Sequence, residues 1–345
     1  EDAAYVHKRR GDNALAIQRF HDAVDQIDRR LAALPDEETT AERDALRQLR
    51  FDLRRETEEL EDRWTLAASL SFRAPDDAFG AVNPLQTDAF SGFAGVEAAY
   101  RPPVIGYQNG RTLEAFVRGF WNLEDESLRP DDDTRQLGVG LRVKPLADWN
   151  LVFSFERMVA LGDAARNDWL ARASVSFDQN LDWEPTRAWW PTGTLYLDAA
   201  HAIETEATFL TASGRYGASF ATADGAAPWT HALMPYALFE ASHIRERTGK
   251  LRRLEIGAGL AWRHWFNETR YEAYRSTAEI AVEGRVPIDA KLFYERNGAP
   301  ILLDKRVMLT GEYIIDAASG IEQQTGSPAV FITLDGKGAR IFSRA

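Results

Sequence analysis

Ten charged residues stand at alternate positions in runs that are otherwise apolar or small: Glu97, Arg101, Arg118, Arg142, Arg172, Arg215, Glu255, Arg263, Glu279 and Glu283. A β-strand turns successive side chains to opposite faces, so these residues would share one face and leave the other to apolar groups. Acids and bases on neighbouring strands can pair into ladders. Such ladders stiffen a wall and offer hydrogen bonds to a neutral, hydroxyl-rich chain. The same residues also suit the plain solvated face of a sheet.

Other chemistry finds little support. The six histidines, His7, His21, His201, His231, His243 and His264, show no metal-ligand spacing. "GASFA" around Ser219 lacks the second glycine of a nucleophile elbow. "LGVGLRV" has no third glycine and opens no helix, so it is not a dinucleotide loop. "PDDD" at 130–133 gathers carboxylates that suit a calcium loop or, more simply, a solvated turn. A distant carboxylate pair for glycoside cleavage stays open, but nothing singles one out. The expectation is no enzyme, no cofactor and no metal.

The elements that must carry the charged residues are strands. From Trp64 onward the apolar period is 2: Leu66, Ala68, Leu70 and Phe72; Ala94, Val96, Ala98 and Tyr100; Leu137, Val139, Leu141 and Val143; Leu254, Ile256, Ala258, Leu260 and Trp262. Less regular runs fall near 111–122, 149–160, 193–203, 208–220 and 232–243. These make about eleven candidate strands of about 9–13 residues, longer than the strands of most soluble sheets. Trp64, Trp149, Trp169, Trp183, Trp189, Trp190, Trp229, Trp262 and Trp265 sit at or near run ends, as a membrane-interface girdle requires. Before Trp64 the period is helical, with Ile17, Phe20, Val24, Ile27 and Leu31 on one stripe and Leu46, Leu49, Leu53 and Leu60 on another. Gly11 suits a turn, and Asp12 or Asn13 a helix cap. "AAYVHKRRGDNALAIQRFHDAVD" resembles a tetratricopeptide repeat, and an ordinary helical hairpin is the other reading.

The chain has 345 residues, 41 basic and 53 acidic, for a net charge of −12. That balance disfavours nucleic acid, whose partners need a basic face. Cysteine is absent, which rules out thiolate sites and disulfides. No apolar run reaches the length of a membrane-spanning helix, whereas barrel strands need only about 10 alternating residues each. A transmembrane β-barrel of about 12 strands is therefore the expectation, with a soluble antiparallel sandwich as the other reading. The chain opens at Glu1 without Met or a signal peptide, as a mature chain or an excised fragment would.

"LGVGLRVKPLADWNLVFSFERMVALGDAARNDWLARASVSFDQNLDW" and "AWWPTGTLYLDAAHAIE" resemble the C-terminal domain of the NfrA family of outer-membrane phage-adsorption proteins. The order of parts over about 1–287 is also similar to exopolysaccharide secretins: repeat-like helices, a linking helix, then strands. The resemblance implies an outer-membrane pore or receptor that handles polysaccharide and that phage can exploit. Its implied partners are outer-membrane lipid, polysaccharide, a phage tail protein and an inner-membrane polysaccharide synthase. The ten charged residues would then face the lumen.

"LLDKRVMLTGEYI", "DAASG", "QQTGSPAV", "ITLD" and "GARIF", over about 293–345, resemble the first periplasmic domain of SecD. This implies an export accessory and the Sec translocase as a partner. Tyr313–Ala318 and Ala329–Leu334 read as paired strands, "QQTGSP" as their turn, and Asp335 as the cap of a following helix. The expected organisation is tetratricopeptide-like and linking helices over 1–63, a barrel over 64–287, and a partial α+β segment over 293–345. A fused or chimeric reading frame would explain the combination. A barrel with an even strand number would leave both flanking parts in the periplasm.

Overall fold

A computed structural model describes residues 2–34, 40–73, 91–124, 128–222, 230–246, 249–288, 290–294, 300–304, 314–321 and 328–334. Three helices come first: α1 (Asp2–Arg10), α2 (Asn13–Ala33) and α3 (Thr40–Glu61). Gly11 takes φ +81° between α1 and α2, a left-handed conformation that glycine adopts without a Cβ penalty. Asp12 occupies the cap position of α2 but makes no side-chain capping bond. Asn13 instead donates its side-chain amide to the Tyr107 carbonyl at 2.9 Å, so it fastens the helix to the sheet. Phe20, Val24 and Ile27 are buried together with Leu46, Leu53 and Leu60, while Ile17, Leu31 and Leu49 are partly covered. None of the described helices is long and apolar enough to cross a membrane.

Twelve strands form one antiparallel sheet. They are β1 (Trp64–Arg73), β2 (Ser91–Tyr100), β3 (Tyr107–Gln108), β4 (Arg111–Leu123), β5 (Gln136–Lys144), β6 (Asn150–Ala160), β7 (Asp168–Gln179), β8 (Trp189–Ala202), β9 (Ala207–Ala221), β10 (Thr230–Glu246), β11 (Gly249–Phe266) and β12 (Ser276–Pro287). The two-residue β3 pairs with β4 alone, and the other eleven follow one another in chain order. Among the described residues no pairing joins β1 to β12. Helices and sheet belong to one compact unit.

The sheet curls. Neighbouring strands lie about 4.8 Å apart, so β9 and β12 would stand roughly 14 Å apart in a flat sheet. Yet Arg215 on β9 reaches Glu283 on β12 at 2.9 Å, which requires this face to be concave. Eleven strands in an up-and-down path also place the end of β12 opposite the start of β1. Among the described residues, Pro287 and Trp64 therefore lie at different ends of the sheet, whereas an even count would have put both flanks on one side.

A second compact unit holds two hairpins. One pairs β13 (Ala290–Tyr294) with β14 (Pro300–Asp304), and the other pairs β15 (Ile314–Ile321) with β16 (Pro328–Leu334). The last hairpin matches the strands expected there, with a register irregularity between Ile314 and Asp316. The expected turn "QQTGSP" and the helix after Asp335 lie outside the described residues, apart from Pro328 at the start of β16.

Candidate functional site

The register places all ten predicted charged residues on the concave face or at its rim. Glu97 lies opposite Arg118, and Glu114 opposite Arg142. Arg172 pairs with Ala200 across the β7–β8 ladder, and Arg215 lies between Thr194 and Leu238. Glu255 faces Glu240, Arg263 faces Glu279, and Glu283 faces Gly259. Arg101 follows β2 and reaches Glu114 at 2.7 Å. The convex face carries the apolar set: Leu66, Val139, Leu141, Ile280 and Val282 are all at least half exposed.

The charges pair into two groups. In the first, Arg142 joins Glu97 at 2.6 Å and also Glu114, while Arg118 holds the buried Glu156. In the second, Arg215 and Arg263 share Glu279, Arg253 holds Glu255, and Arg285 joins Glu240 and Glu283. Arg172 pairs separately with Asp198 at 3.2 Å. The first group contains three arginines and three glutamates, and the second four of each, so both are neutral.

Sequence reasoning missed Glu114, Glu156, Asp198, Glu240, Arg253 and Arg285. All occupy the same alternate positions, but most fall in runs whose apolar partners are less regular. It also missed the part played by glycine. Arg118 on β4 reaches Glu156 on β6 across β5, where Gly138 leaves the space; a Cβ there would come within 2.6 Å of Glu156 Oε2. Tyr236 on β10 donates to Glu283 on β12 at 2.7 Å in the same way, over Gly259.

The helices cover one end of the sheet. They fasten to three turns, after β2, β7 and β11, which are widely spaced along the path. At the first, Asn13 binds Tyr107. At the second, Arg55 pairs with Asp182 at 2.5 Å and Gln48 accepts from Thr186. At the third, buried Arg54 donates to the carbonyls of Thr269 and Glu272 and pairs with Glu268 at 3.2 Å, while His21 stacks on Tyr271 at 4.1 Å. Burial lowers the Arg54 pKa from the ordinary guanidinium value, against the pull of Glu268. Lys8 behaves oppositely: burial opposes its charge, but hydrogen bonds to Glu56 and Glu59 raise its pKa. A body that touches three turns so widely spaced lies across the mouth of a curled sheet.

Beneath this cap Trp183, Trp190 and Trp265 pack in edge-to-face contacts together with Phe51 of α3. They are at most 6% exposed, so these three are a floor under the helices and not girdle residues as expected. Trp64, Trp149, Trp169 and Trp189 are exposed. Trp229 lies outside the described residues. The loop with "PDDD" is a 3-10 turn over Asp132–Thr134, in which Asp131 accepts from the Asp133 N–H and Asp132 pairs with Arg135.

Residues 129–299 match the family model described as Bacteriophage N adsorption protein A C-term. Over 305 residues, 86% of the chain, the sequence is 28% identical to "Bacteriophage adsorption protein A" of Escherichia coli (strain K12). This chain is similar to phage adsorption protein A. It spans 29% of that protein's length. The family model for the SecDF P1 head subdomain matches residues 290–345. "Protein translocase subunit SecD" of Haemophilus influenzae is 40% identical over 68 residues, 20% of this chain and 11% of that protein. Both matches bear out the resemblances in the sequence. Among solved structures, a loop-deletion mutant of OmpT, an outer membrane protein of Vibrio cholerae, aligns over 66% of this chain and 76% of its own. That alignment has 12% identity and a TM-score of 0.22, too slight a likeness to argue from. The adsorption-protein match covers β5 to β13, and so includes most of the charged concave face.

Proposed function

We propose that β1 to β12 close in the outer membrane as a barrel, and that the barrel is a pore or receptor for an extracellular polysaccharide to which a phage can adsorb. The observation that carries this is the division of the sheet's faces. The convex face exposes large apolar residues, as a lipid-facing wall would, whereas the concave face holds compensated charge. The similarity to phage adsorption protein A supports the adsorption role. The helical cap then sits in the periplasm, where α1 and α2 would be the end of a repeat arm that leads toward an inner-membrane synthase. The chain acts by binding and passage, not by catalysis.

The barrel is tested by heat-dependent mobility on a gel and by extraction that requires detergent. Purification as a soluble monomer without detergent would defeat it. Val139→Arg or Leu141→Arg should cost about 2–4 kcal/mol in detergent-based unfolding if these residues face mid-bilayer lipid. A second reading rests on the SecD match over residues 290–345: this segment assists protein export. Rescue of an export defect by the segment, and not by the barrel, would favour that reading.

A further inference from the structure

We propose that a cavity on the concave face of β8 to β12, beneath the turn that carries Leu181, binds one or two units of a neutral, hydroxyl-rich chain such as an uncharged oligosaccharide. The inference deepens the polysaccharide reading above and rests on it. The cavity measures about 340 Å³ and is lined by Thr194, Tyr196, Ser213, Arg215, Arg263 and Arg285, with Met234 and Leu238 as apolar wall. That volume is at the small end of ligand sites.

Each of the three arginines around the cavity already has a partner. Arg215 holds Glu279 and Glu283 at 2.9 Å each. Arg263 holds Glu279 and the Leu181 carbonyl, the latter at 2.7 Å. Arg285 holds Glu283 at 2.6 Å and also Glu240. An anionic ligand would have to compete with these glutamates, and a cationic ligand with the arginines. Each exchange leaves a partly buried charge without its partner, which is costly. A polyol needs no exchange. Its hydroxyls accept from guanidinium N–H groups not used by the pairs and donate to carboxylate lone pairs, while Met234 and Leu238 cover the C–H face of a sugar ring. Thr194 and Ser213 add hydroxyls that can both donate and accept, and Tyr196, whose hydroxyl donates to Asp198 at 3.1 Å, can accept.

The site is also rigid and one-sided. The roofing turn is fixed by Arg263 on Leu181, by Arg55 on Asp182 and by the Asn180 amide on the Pro191 carbonyl at 3.0 Å. The helices and the buried tryptophans lie at that end, so an oligosaccharide added from outside would reach the cavity through the opposite mouth, where β12 ends.

The native chain lacks cysteine, so a single thiol is an unambiguous reporter. Ser213→Cys places it in the cavity, and Ser69→Cys places a control on the same face of β1. Both detergent-purified variants are treated with a thiol reagent in the presence of neutral gluco-oligosaccharides, oligogalacturonate or chitosan oligomers. The expected result is that a neutral oligomer slows labelling of the Ser213→Cys variant about tenfold near saturation, with the charged oligomers and the control unaffected. Calorimetric titration of the unsubstituted protein with the same oligomers covers the case in which Ser213→Cys itself disturbs the site. Equal protection of both variants, stronger protection by a charged oligomer, or no protection together with no heat from any neutral oligomer would overturn the proposal. Heat-dependent gel mobility of the same samples reports separately on whether the barrel exists.

Discussion

At the scale of single residues, the concave face depends on what is absent from β5 and β11. A Cβ at Gly140 would come within 2.5 Å of the Phe155 carbonyl oxygen and 2.6 Å of Glu156 Cβ, so neighbouring backbone would have to shift. Gly140→Ala should therefore destabilise the sheet by about 1–3 kcal/mol, as overpacking does elsewhere. Gly284 on β12 has nothing within 4 Å of a built Cβ, and Gly284→Ala should change stability by less than about 0.5 kcal/mol. Unfolding in detergent by urea, followed by tryptophan emission, measures both; equal effects would reject the crowding argument. Which residues share the face was legible in the sequence, because a period of 2 is a property of each strand alone. Which charges meet was not. Arg118 finds Glu156 two strands away over Gly138, and Arg215 finds Glu283 three strands away, a distance that the curl of the sheet shortens. Glu156 was hidden for the same reason, whereas Glu114, directly opposite Arg142, was missed because its run alternates less regularly.

At the scale of elements, the cap is the feature that the sequence disclosed least. The helical stripes of Phe20 and Leu53 could be read, but their docking depends on Arg54, which looks like any exposed helical arginine until its side chain is seen buried against two carbonyls. Arg54→Ala leaves those carbonyls without a donor and should cost about 2–4 kcal/mol. The loss should be read as an earlier red shift of emission from Trp183, Trp190 and Trp265 in urea; an unchanged midpoint would show that Arg54 is not the fastening. The cap should also respond to pH. Burial, then the negative charges of Asp62 and Asp182, push the Glu58 pKa up to about 7 against the pull of Arg55, with Glu272 adding to the rise. A carboxyl whose folded pKa is raised adds stability that is full below its ordinary value and is lost as pH climbs through the folded one. Protease cleavage of α3 should thus accelerate between about pH 5 and 8, and Glu58→Gln should flatten that rise. A flat profile in the unsubstituted protein would count against the assignment.

At the scale of the whole molecule, the eleven-strand path decides at which end of the sheet β12 stops. If the helices lie in the periplasm as proposed, Pro287 lies at the cell-surface rim, and an epitope inserted between Pro287 and Ile288 should bind antibody on intact cells. If it binds only after permeabilisation, a further strand succeeds β12 in the membrane; the adsorption-protein match, which runs on to residue 299, would supply it. Limited proteolysis should cut first between about Arg285 and Arg306, where the two compact units join. Resistance of the chain as one piece would make the two matches parts of an integrated protein. Finally, each strand of the path pairs with the strand before it in the chain. Loop-closure entropy is then small at every step, and hairpins can form one after another as the chain is delivered. Within the wall, joining β1 to β12 to close the proposed barrel would be the step that gathers the most distant strands. Assembly would therefore wait on that seam, and a chaperone that shields the open edge of β1 would govern its rate more than any change within the wall.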